Sequence, residues 1–301
     1  MGGAPTDVAM IPAPTVSVIV PHYNDLPALD ICLQSLTRQT YPADRLEIVV
    51  ADNGSPQGVG AVGDLIGGRA KLVSVTERGA GPARNGAVAA SAGTLLAFID
   101  SDCIAEPEWV AQGVAGLDRF DFVGGRVKVG VRDPARMTPS EAFERVFAFD
   151  FETYINKKGF TGAGNLFCTR AVFDDVGGFR ATVSEDVEWS HRARGKGWRL
   201  GYAPAAIVTH PARQTWPELK RKWRRITAES YALARENQGG RLGWLLRVMA
   251  LPASAVFHTP KVLRSGELHG LDQRLAALET LYRLRFWRAA EGLRLLTGAG
   301  G

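Results

Sequence analysis

Cysteine is scarce in this 301-residue sequence: Cys32, Cys103 and Cys168 are odd in number and widely spaced. They match no zinc-binding pattern, and so few thiols favour a reducing compartment. The first residues, MGGAPTDVAMIPAPT, lack the basic n-region and apolar core of a signal peptide. We therefore predict that residues 1–14 are a flexible leader and that the protein is cytoplasmic.

Long apolar runs are also missing. In RLGWLLRVMALPASAVFHTPKVL (241–263) the longest stretch without charge or histidine is residues 248–257. A membrane-spanning helix needs about 20 apolar residues, so this stretch is too short to predict a span. An amphipathic helix lying in the membrane plane and anchored by Trp244 is the membrane interpretation that the segment favours.

Net charge is only +5, but it is unevenly distributed. Residues 1–210 carry 20 Lys+Arg against 24 Asp+Glu, a net of −4, whereas residues 211–301 carry 16 against 7, a net of +9. This asymmetry predicts an anionic partner, and we expect peripheral binding to the inner face of the cell membrane. A solvated basic surface is the alternative. The basic and aromatic stretch KRKWRRITAESYALAR (220–235) carries no nucleic-acid-binding signature, so no nucleic acid is expected.

The first hundred residues predict alternating strands and helices. Four continuous apolar runs are typical of strands covered on both faces: VSVIV (16–20), LEIVVA (46–51), KLVSV (71–75) and TLLAFID (94–100). Leucines at helical spacing separate the first two, and Pro82 opens a helix of small residues after the third. The fold class is therefore α/β, with a mostly parallel central sheet flanked by helices.

The rest of the chain is less regular. We predict a strand at 122–131, an amphipathic helix at 139–154, a helix from residue 184, a strand ending at His210 and a helix at 216–236. The proposed boundaries place a catalytic domain at 15–237 and a basic, amphipathic helical C-terminal extension at 238–301. An i+3 stripe in the last helix predicts a packing face against the body or against a second copy in a homodimer: Leu275, Leu278, Leu281, Leu284 and Trp287.

Polar residues follow three of the predicted strands, in PHYND (21–25), DNGS (52–55) and DSD (100–102). Each alone is a turn signal. Together they would meet at the carboxyl edge of a parallel sheet, where ligands bind. Asp100 and Asp102 share one face of an extended segment, so one can reach Mg²⁺ or Mn²⁺ while the other reaches a ribose hydroxyl.

Other nucleotide-binding classes fit less well. No G-x-G-x-x-G follows the first strand, which argues against a dinucleotide-binding dehydrogenase. A sugar nucleotidyltransferase normally has a glycine-rich loop containing Arg and Lys at this point, and PHYND is not such a loop. A non-catalytic nucleotide-sugar-binding or membrane scaffold protein stays as an alternative, and it would be expected to have lost Asp102 or Asp186.

In this order, VSVIVPHYN, ADNGS, GPARNGAVAASAGTLLAFIDSDC, TGAGNLF and SEDVEWSHRARGKGW resemble the inverting family 2 (GT2) glycosyltransferases of the GT-A fold, over about residues 15–235. The resemblance implies a nucleotide-sugar donor, most often a UDP-sugar, a carbohydrate or lipid-linked acceptor, and a divalent metal, Mn²⁺ or Mg²⁺. It also implies these roles for individual residues: Pro21, Tyr23, Asn24, Asp52, Arg84 and Asp100 in the nucleotide site, Asp102 and His210 at the metal, and Gly164, Asn165 and Trp189 near the donor sugar or acceptor.

The pair Glu185-Asp186 resembles the acidic motif that supplies the general base, which in this family is the aspartate. Inversion requires an acceptor hydroxyl to lose its proton as it attacks opposite the leaving diphosphate, and one carboxylate suffices. The same pair also complements a helix dipole after Ser184. Trp189 and His210 have core or solvent-exposed alternatives. The sequence departs from the family pattern at His22, and at Asn53, where a second aspartate is frequent.

Overall fold

The computed structural model describes residues 14–181, 184–236 and 240–297. Within them eight strands form one sheet in the order β3-β2-β1-β4-β7-β6-β8-β5. The strands are β1 Val16–His22, β2 Leu46–Asp52, β3 Lys71–Ser74, β4 Leu95–Ile99, β5 Ile104–Ala105, β6 Phe122–Gly130, β7 Asn165–Thr169 and β8 Leu200–Pro211. The leader prediction falls almost wholly on residues 1–13, outside the described residues.

Helices cover this sheet and continue beyond it. The helices that fall between β1 and β8 in the chain are α1 Leu26–Leu36, α2 Gly58–Ile66, α3 Ala80–Ala89, α4 Trp109–Leu117, α5 Pro139–Phe147, α6 Phe151–Thr153, α7 Arg170–Val176 and α8 Glu185–Gly195. Three longer helices follow the sheet: α9 Trp216–Glu236, α10 Gly240–Leu263 and α11 Gly270–Leu296. A π-helical turn, Tyr154–Lys158, extends α6.

The sheet is mixed but mostly parallel, as predicted. β1 pairs in parallel with β2 and β4, β2 with β3, and β6 with β8. β7 is antiparallel to both β4 and β6, and β5 is antiparallel to β8. Six strands therefore share one direction, and the carboxyl ends of β1, β2, β4, β6 and β8 lie along one edge of the sheet.

Three of the four continuous apolar runs, β1, β2 and β4, are buried on both faces, which is why their sequences do not alternate. The prediction is wrong for β3, which lies at the edge of the sheet and is exposed or half-buried along its length. In β1, Val18 and Val20 pack into the core on one side of the sheet, whereas Ile19 packs into the core on the other side. In β2, Val50 joins the first core and Val49 the second. Helices on both faces exclude water from these strands.

The predicted helix at 139–154 is wrong in one respect, because α5 ends at Phe147. Phe149 has a φ of 57°, which a continuous α-helix does not permit. Asp150 then begins α6, where its side chain accepts a hydrogen bond from the Thr153 amide at 3.2 Å. The break turns the following aromatic residues towards the carboxyl edge of the sheet.

A bulge divides the pairing of β6 with β8. Gly125 pairs with Ala203, but the next residue, Arg126, pairs with Ile207, so residues 204–206 are extra on β8. Asn165 fixes this bulge: its Nδ2 donates to the Arg126 and Ala206 carbonyls, each at 3.0 Å. Its Oδ1 accepts from Trp109 Nε1 at 2.9 Å, so one buried amide joins β6, β8 and α4.

A third apolar core joins the last helices to the body through α5. It contains Phe143 of α5, Leu219 of α9, Ala255 of α10 and Leu281 of α11. The predicted i+3 leucine stripe of α11 is only partly buried, with Leu275 exposed. Three residues turn an α-helix by about 300°, so an i+3 stripe rotates away from one face within a few turns.

One face of α10 is apolar and exposed. Trp244 and Val248 are buried on the opposite face. The exposed large apolar side chains of α10 are Leu242, Leu245, Leu246, Met249, Val256, Phe257 and Leu263. Among the described residues, this 24-residue helix is also long and apolar enough, by length and composition, to cross a membrane, although the run 248–257 alone predicted no span.

Candidate active site

A cavity of about 1110 Å³ opens at the carboxyl edge of the sheet. Its walls include the ends of β1, β4 and β8, the first turn of α8, and one side of α9. Several residues singled out from the sequence line it: Pro21, Tyr23, Arg84, Asp100, Asp102, Gly164, Glu185, Asp186 and His210. The sheet thus brings together residues that lie up to 189 positions apart in the chain.

Arg84 is the most buried cation at this edge, at 4% exposed. Its Nη2 donates to Asp100 Oδ1 at 2.6 Å and its Nη1 donates to Glu185 Oε1 at 3.0 Å. Burial opposes its charge, but Asp100 and Glu185 outweigh burial and raise the pKa of Arg84 above its usual value. Burial likewise opposes ionisation of Asp100, yet Arg84 and then His210 hold its pKa below the usual value. Asp100 and Arg84 therefore stay charged.

Gly164 lies directly against Asp100. A Cβ at this position would stand 2.5 Å from Asp100 Oδ2, which is closer than real Cβ contacts come. The absence of a side chain lets the loop before β7 approach the aspartate. Gly164 therefore lies in the cavity wall where a donor sugar or an acceptor was predicted to pass.

Asp102 and His210 meet across the edge of the sheet. Asp102 Oδ2 lies 3.3 Å from His210 Nε2, and His210 Nδ1 lies 2.8 Å from the Pro211 carbonyl oxygen. In the tautomer that donates Nδ1–H to that carbonyl, the ring presents a lone pair at Nε2, which faces the carboxylate and lies 3.2 Å from Arg213 Nη1. Burial lowers the pKa of His210, which favours this neutral form.

The Asp102 carboxylate and the His210 Nε2 lone pair lie close enough together to hold a cation between them. Donor atoms of Asp100, Asp102, Cys103 and His210 all lie within 4.8 Å of one another. Carboxylate and imidazole ligands suit Mn²⁺. Burial raises the pKa of the Cys103 thiol, which argues against a thiolate ligand. The residues present therefore fit a divalent cation held by Asp102 and His210, with Asp100 alongside.

Asp186 lies in the first turn of α8 and faces the cavity. Its Oδ1 accepts from the Val187 amide at 2.8 Å. Burial, followed by the charge of Glu185, raises the pKa of Asp186 to about 6, and Arg84 works against this rise. A carboxylate with a pKa just below neutral is ionised at pH 7 and basic enough to accept a proton.

Four predicted site residues do not line the cavity, and two of them, Trp189 and Asn165, lie in the protein interior. Trp189 is 0% exposed and packs against Phe122, Phe173 and Phe179 in the second core. Its Nε1 donates to the Gly177 carbonyl at 2.9 Å, so contact with an acceptor sugar is wrong. Asn165 is also fully buried and holds the β6–β8 bulge, so it does not line the sugar site.

Asp52 and Asn24 lie at the predicted edge but are not part of the cavity lining. Asp52 is buried and accepts a hydrogen bond from the Ser55 hydroxyl. The Ser55 oxygen in turn accepts from the Asn24 amide at 2.9 Å. This chain fixes the loop after β1, and the contact of Asp52 with a nucleobase stays a prediction.

Sequence reasoning missed several residues of the cavity. Glu229 lines it from α9, and burial raises the pKa of this glutamate to about 7. His22 is buried, lines the cavity, and has no hydrogen-bond partner for either ring nitrogen among the described residues. The helical spacing of Lys222, Arg225 and Glu229 along α9 was the signal that would have found that wall.

An aromatic wall forms one side of the cavity, and its Phe149 ring packs on His210 near the end of β8, with 4.6 Å between the ring centroids. It follows the break after α5 and includes the π-helical turn. Its members that line the cavity are Phe143, Phe147, Phe149, Phe151, Tyr154 and Phe160. Such a surface suits apolar groups or sugar rings rather than a diphosphate.

Comparison with known proteins shows the family to which the chain is related. The model of Glycosyl transferase family 2 matches residues 17–187, more than half of the chain. Glycosyltransferase AglE of Haloferax volcanii is 33% identical over 219 residues, covering 70% of this chain and 71% of AglE. Putative glycosyltransferase EpsH of Bacillus subtilis is 33% identical over 102 residues, covering 33% of this chain and 29% of EpsH.

Among solved structures, mannosyltransferase PcManGT from Pyrobaculum calidifontis, in complex with GDP-Man and Mn²⁺, matches with a TM-score of 0.63. The match covers 93% of this chain and 86% of PcManGT at 21% identity, so it shows the fold. The predicted GT-A fold is confirmed. Together, the family match and the extent of the likeness to AglE establish that this chain is a glycosyltransferase belonging to family 2.

Proposed function

We propose that the protein transfers a sugar from a nucleotide-diphosphate donor, a UDP-sugar in the first instance, to an acceptor hydroxyl with inversion. One observation carries the proposal: Asp186, with a pKa raised to about 6, faces the same cavity as Asp100, Asp102 and His210. The presence of a carboxylate that can accept a proton beside residues suited to a cation and its diphosphate supports the proposal.

Asp186 is the general base. Its carboxylate accepts the proton of the acceptor hydroxyl while that oxygen attacks the anomeric carbon from the face opposite the diphosphate. Glu185 cannot easily share this task, because Arg84 already holds it at 3.0 Å. Glu185 instead keeps the first turn of α8 in place beside Arg84.

Asp100 and Arg84 position the donor. The Asp100 carboxylate accepts from a ribose hydroxyl, and Arg84 keeps that carboxylate ionised and oriented. Asp102 and His210 would hold a divalent cation, Mn²⁺ or Mg²⁺, which when bound neutralises charge on the diphosphate. The GDP-Man and Mn²⁺ in PcManGT support this assignment.

The acceptor is a carbohydrate or a lipid-linked carbohydrate precursor, and the reaction serves glycan, polysaccharide or glycolipid synthesis. The aromatic wall supports this class of acceptor, because aromatic faces pack well against sugar rings and apolar chains. The alternative, a non-catalytic nucleotide-sugar-binding protein, is disfavoured because Asp102 and Asp186 are both present and face one cavity.

We also propose that the protein binds the inner face of the cell membrane through α10. This helix exposes an apolar face, with Phe257 81% exposed, and residues 211–301 carry a net charge of +9. Apolar side chains beside cations are the features of a helix that lies in an anionic lipid surface. Trp244 and Val248 pack along the protein, which favours an in-plane helix over a span.

A ligand screen by thermal shift tests the donor assignment. UDP- and GDP-sugars are compared with and without Mn²⁺, since a ligand that binds the folded state raises its Tm. We expect a UDP-sugar to raise Tm, and Asp102→Asn to remove the part of the shift that Mn²⁺ adds. Glu108→Gln, at an exposed acid immediately before α4, is the matched control. No shift with any nucleotide sugar, together with no transfer to any acceptor, would disprove the proposal.

A further inference from the structure

Three arginines lie together where α9, α10 and α11 meet: Arg247, Arg285 and Arg288. Arg288 is only 7% exposed, and its guanidinium stacks on the Trp223 ring with 4.0 Å from Cζ to the ring centroid. Trp223 and Arg247 both line the cavity. Arg285 and Arg288 do not line it, so the group reaches the cavity through Arg247 and through the Trp223 ring on which Arg288 stacks. Its helices supply no residue to the catalytic steps proposed above.

No carboxylate neutralises these arginines among residues 14–181, 184–236 and 240–297. None of the three takes part in an ion pair there. Elsewhere in the same helices arginines do find acids: Arg294 lies 2.8 Å and Arg224 3.4 Å from Glu291. Arg288 is buried, Arg285 is partly buried and Arg247 is exposed. A buried and unpaired cation such as Arg288 is costly, so its retention calls for an anionic ligand.

Buried hydrogen-bond donors at this junction lack acceptors as well. Within the described part of the chain, the Nε atoms of Arg285 and Arg288 and the Nε1 atom of Trp223 have no partner. All three can donate, and none can accept. A group with several acceptor oxygens and negative charge, such as a phosphate, matches such a set of donors.

The charges of the neighbouring groups agree with this pattern. Burial, followed by Arg285 and Arg247, lowers the pKa of Arg288 to about 9. Burial also lowers the pKa of Lys158 on the π-helical turn; Asp150 opposes this, and Arg247 and Arg285 lower it further. The charges of Arg247 and Arg285 therefore affect the pKa of Lys158, beside the aromatic wall. The pKa of Asp100 is instead lowered by Arg84 and His210.

We propose that Arg247, Arg285 and Arg288 bind the phosphate of an acceptor that carries a long apolar chain. The proposal rests on the proposed glycosyl transfer and specifies its acceptor. Phe147, Phe149 and Tyr154 line the same cavity and suit the chain next to the phosphate. Leu246, directly before Arg247, belongs to the exposed apolar face of α10. This face would lead the apolar chain from the cavity to a lipid surface.

Binding of farnesyl phosphate, a soluble polyprenyl phosphate, tests the subsite without requiring transfer. Calorimetry on the full-length protein should show binding that Arg288→Met weakens at least tenfold, with farnesol binding weakly to both. Arg221→Gln, an exposed arginine on α9, should bind as the wild type does. Methionine keeps the packing on Trp223 and removes an unpaired charge, so Arg288→Met should not lower Tm. Unchanged farnesyl phosphate binding in Arg288→Met, or weaker binding accompanied by a lower Tm, would overturn the subsite.

Two further arms identify the source of the phosphate and separate the two proposals. Flotation with vesicles of phosphatidylcholine and phosphatidylglycerol should be the same for Arg288→Met and wild type. If the variant loses vesicle binding but keeps farnesyl phosphate binding, the cluster binds lipid headgroups and the acceptor proposal fails. UDP-sugar binding with Mn²⁺ should be unchanged by Arg288→Met, so failure of the donor assignment is detected separately from failure of the phosphate subsite.

Discussion

Arg84 Nη2 lies 2.6 Å from Asp100 Oδ1, and this buried contact ties α3 to the carboxyl end of β4. The same guanidinium reaches Glu185, so a single side chain joins the nucleotide side of the cavity to the helix that carries the general base. Its positive charge also opposes the rise in the pKa of Asp186. Arg84 is thus a positioning residue for both halves of the site.

Replacing this arginine should affect stability and pH dependence together. Arg84→Met leaves Asp100 and Glu185 without their cation, and both are partly solvated, so we expect a loss of about 2 kcal/mol, below the 3–5 typical of fully buried pairs. The acid limb of the kcat/KM profile should move to higher pH because Asp186 loses an opposing charge. Urea unfolding and pH–rate profiles measure the two effects. Arg69→Met, which breaks the Arg69–Asp30 surface pair, is the control, and equal effects in both variants would contradict the prediction.

Asp186 predicts the pH dependence of activity. A general base must be ionised, so kcat/KM should fall about tenfold per pH unit below about 6 and be level above it. Asp186→Asn should retain binding of a UDP-sugar and lose transfer. Turnover of the asparagine variant within tenfold of wild type would exclude Asp186 as the base.

The same carboxyl predicts how stability depends on pH. Its pKa is raised from 3.8 to about 6 in the folded state, so the folded protein binds more protons than the unfolded chain between these values. Stability from this group is therefore highest below pH 3.8 and falls as pH rises to about 6. Asp186→Asn should become more stable than wild type across this window, by up to about 3 kcal/mol above pH 6. Denaturant unfolding at several pH values measures the gap. Asp64→Asn, on the surface of α2, should show none.

The exposed face of α10 predicts lipid binding. Introducing two acids, Leu246→Glu with Phe257→Glu, should abolish flotation with vesicles that contain phosphatidylglycerol, since charge on the apolar face opposes insertion. High salt should weaken wild-type binding because part of the attraction is electrostatic. Ile31→Glu alters an exposed apolar residue of α1 on the body and should change nothing. Equal flotation of all three proteins would disprove the membrane proposal.

Much of the sheet and its polar edge followed from local patterns. The continuous apolar runs predicted β1, β2 and β4, and the strand ends brought Asp100 and Asp102 to one edge, since strand direction fixes where such residues meet. His210 joins them because β8 runs parallel to β4. These relations depend on the order of elements and on hydrogen-bonding direction, both of which the sequence carries.

Other features depend on packing that no local pattern specifies. Trp189 lies three residues after Asp186, and those three residues add about 4.5 Å of rise and a rotation of about 60° towards the sheet. This is enough to move the indole from the cavity rim into the core beside Phe173. The positive φ of Phe149 and the stacking of Arg288 on Trp223 likewise follow from tertiary contacts.

Asn165 has a wider influence than its distance from any ligand suggests. The β8 segment after the bulge, which ends in His210 and Pro211, keeps its register with β6 only while residues 204–206 remain looped out. In a strand, a slip by one residue would turn the imidazole to the opposite side of the sheet. The direction of the His210 side chain therefore depends on the buried amide of Asn165, which hydrogen-bonds to two backbone carbonyls and one indole.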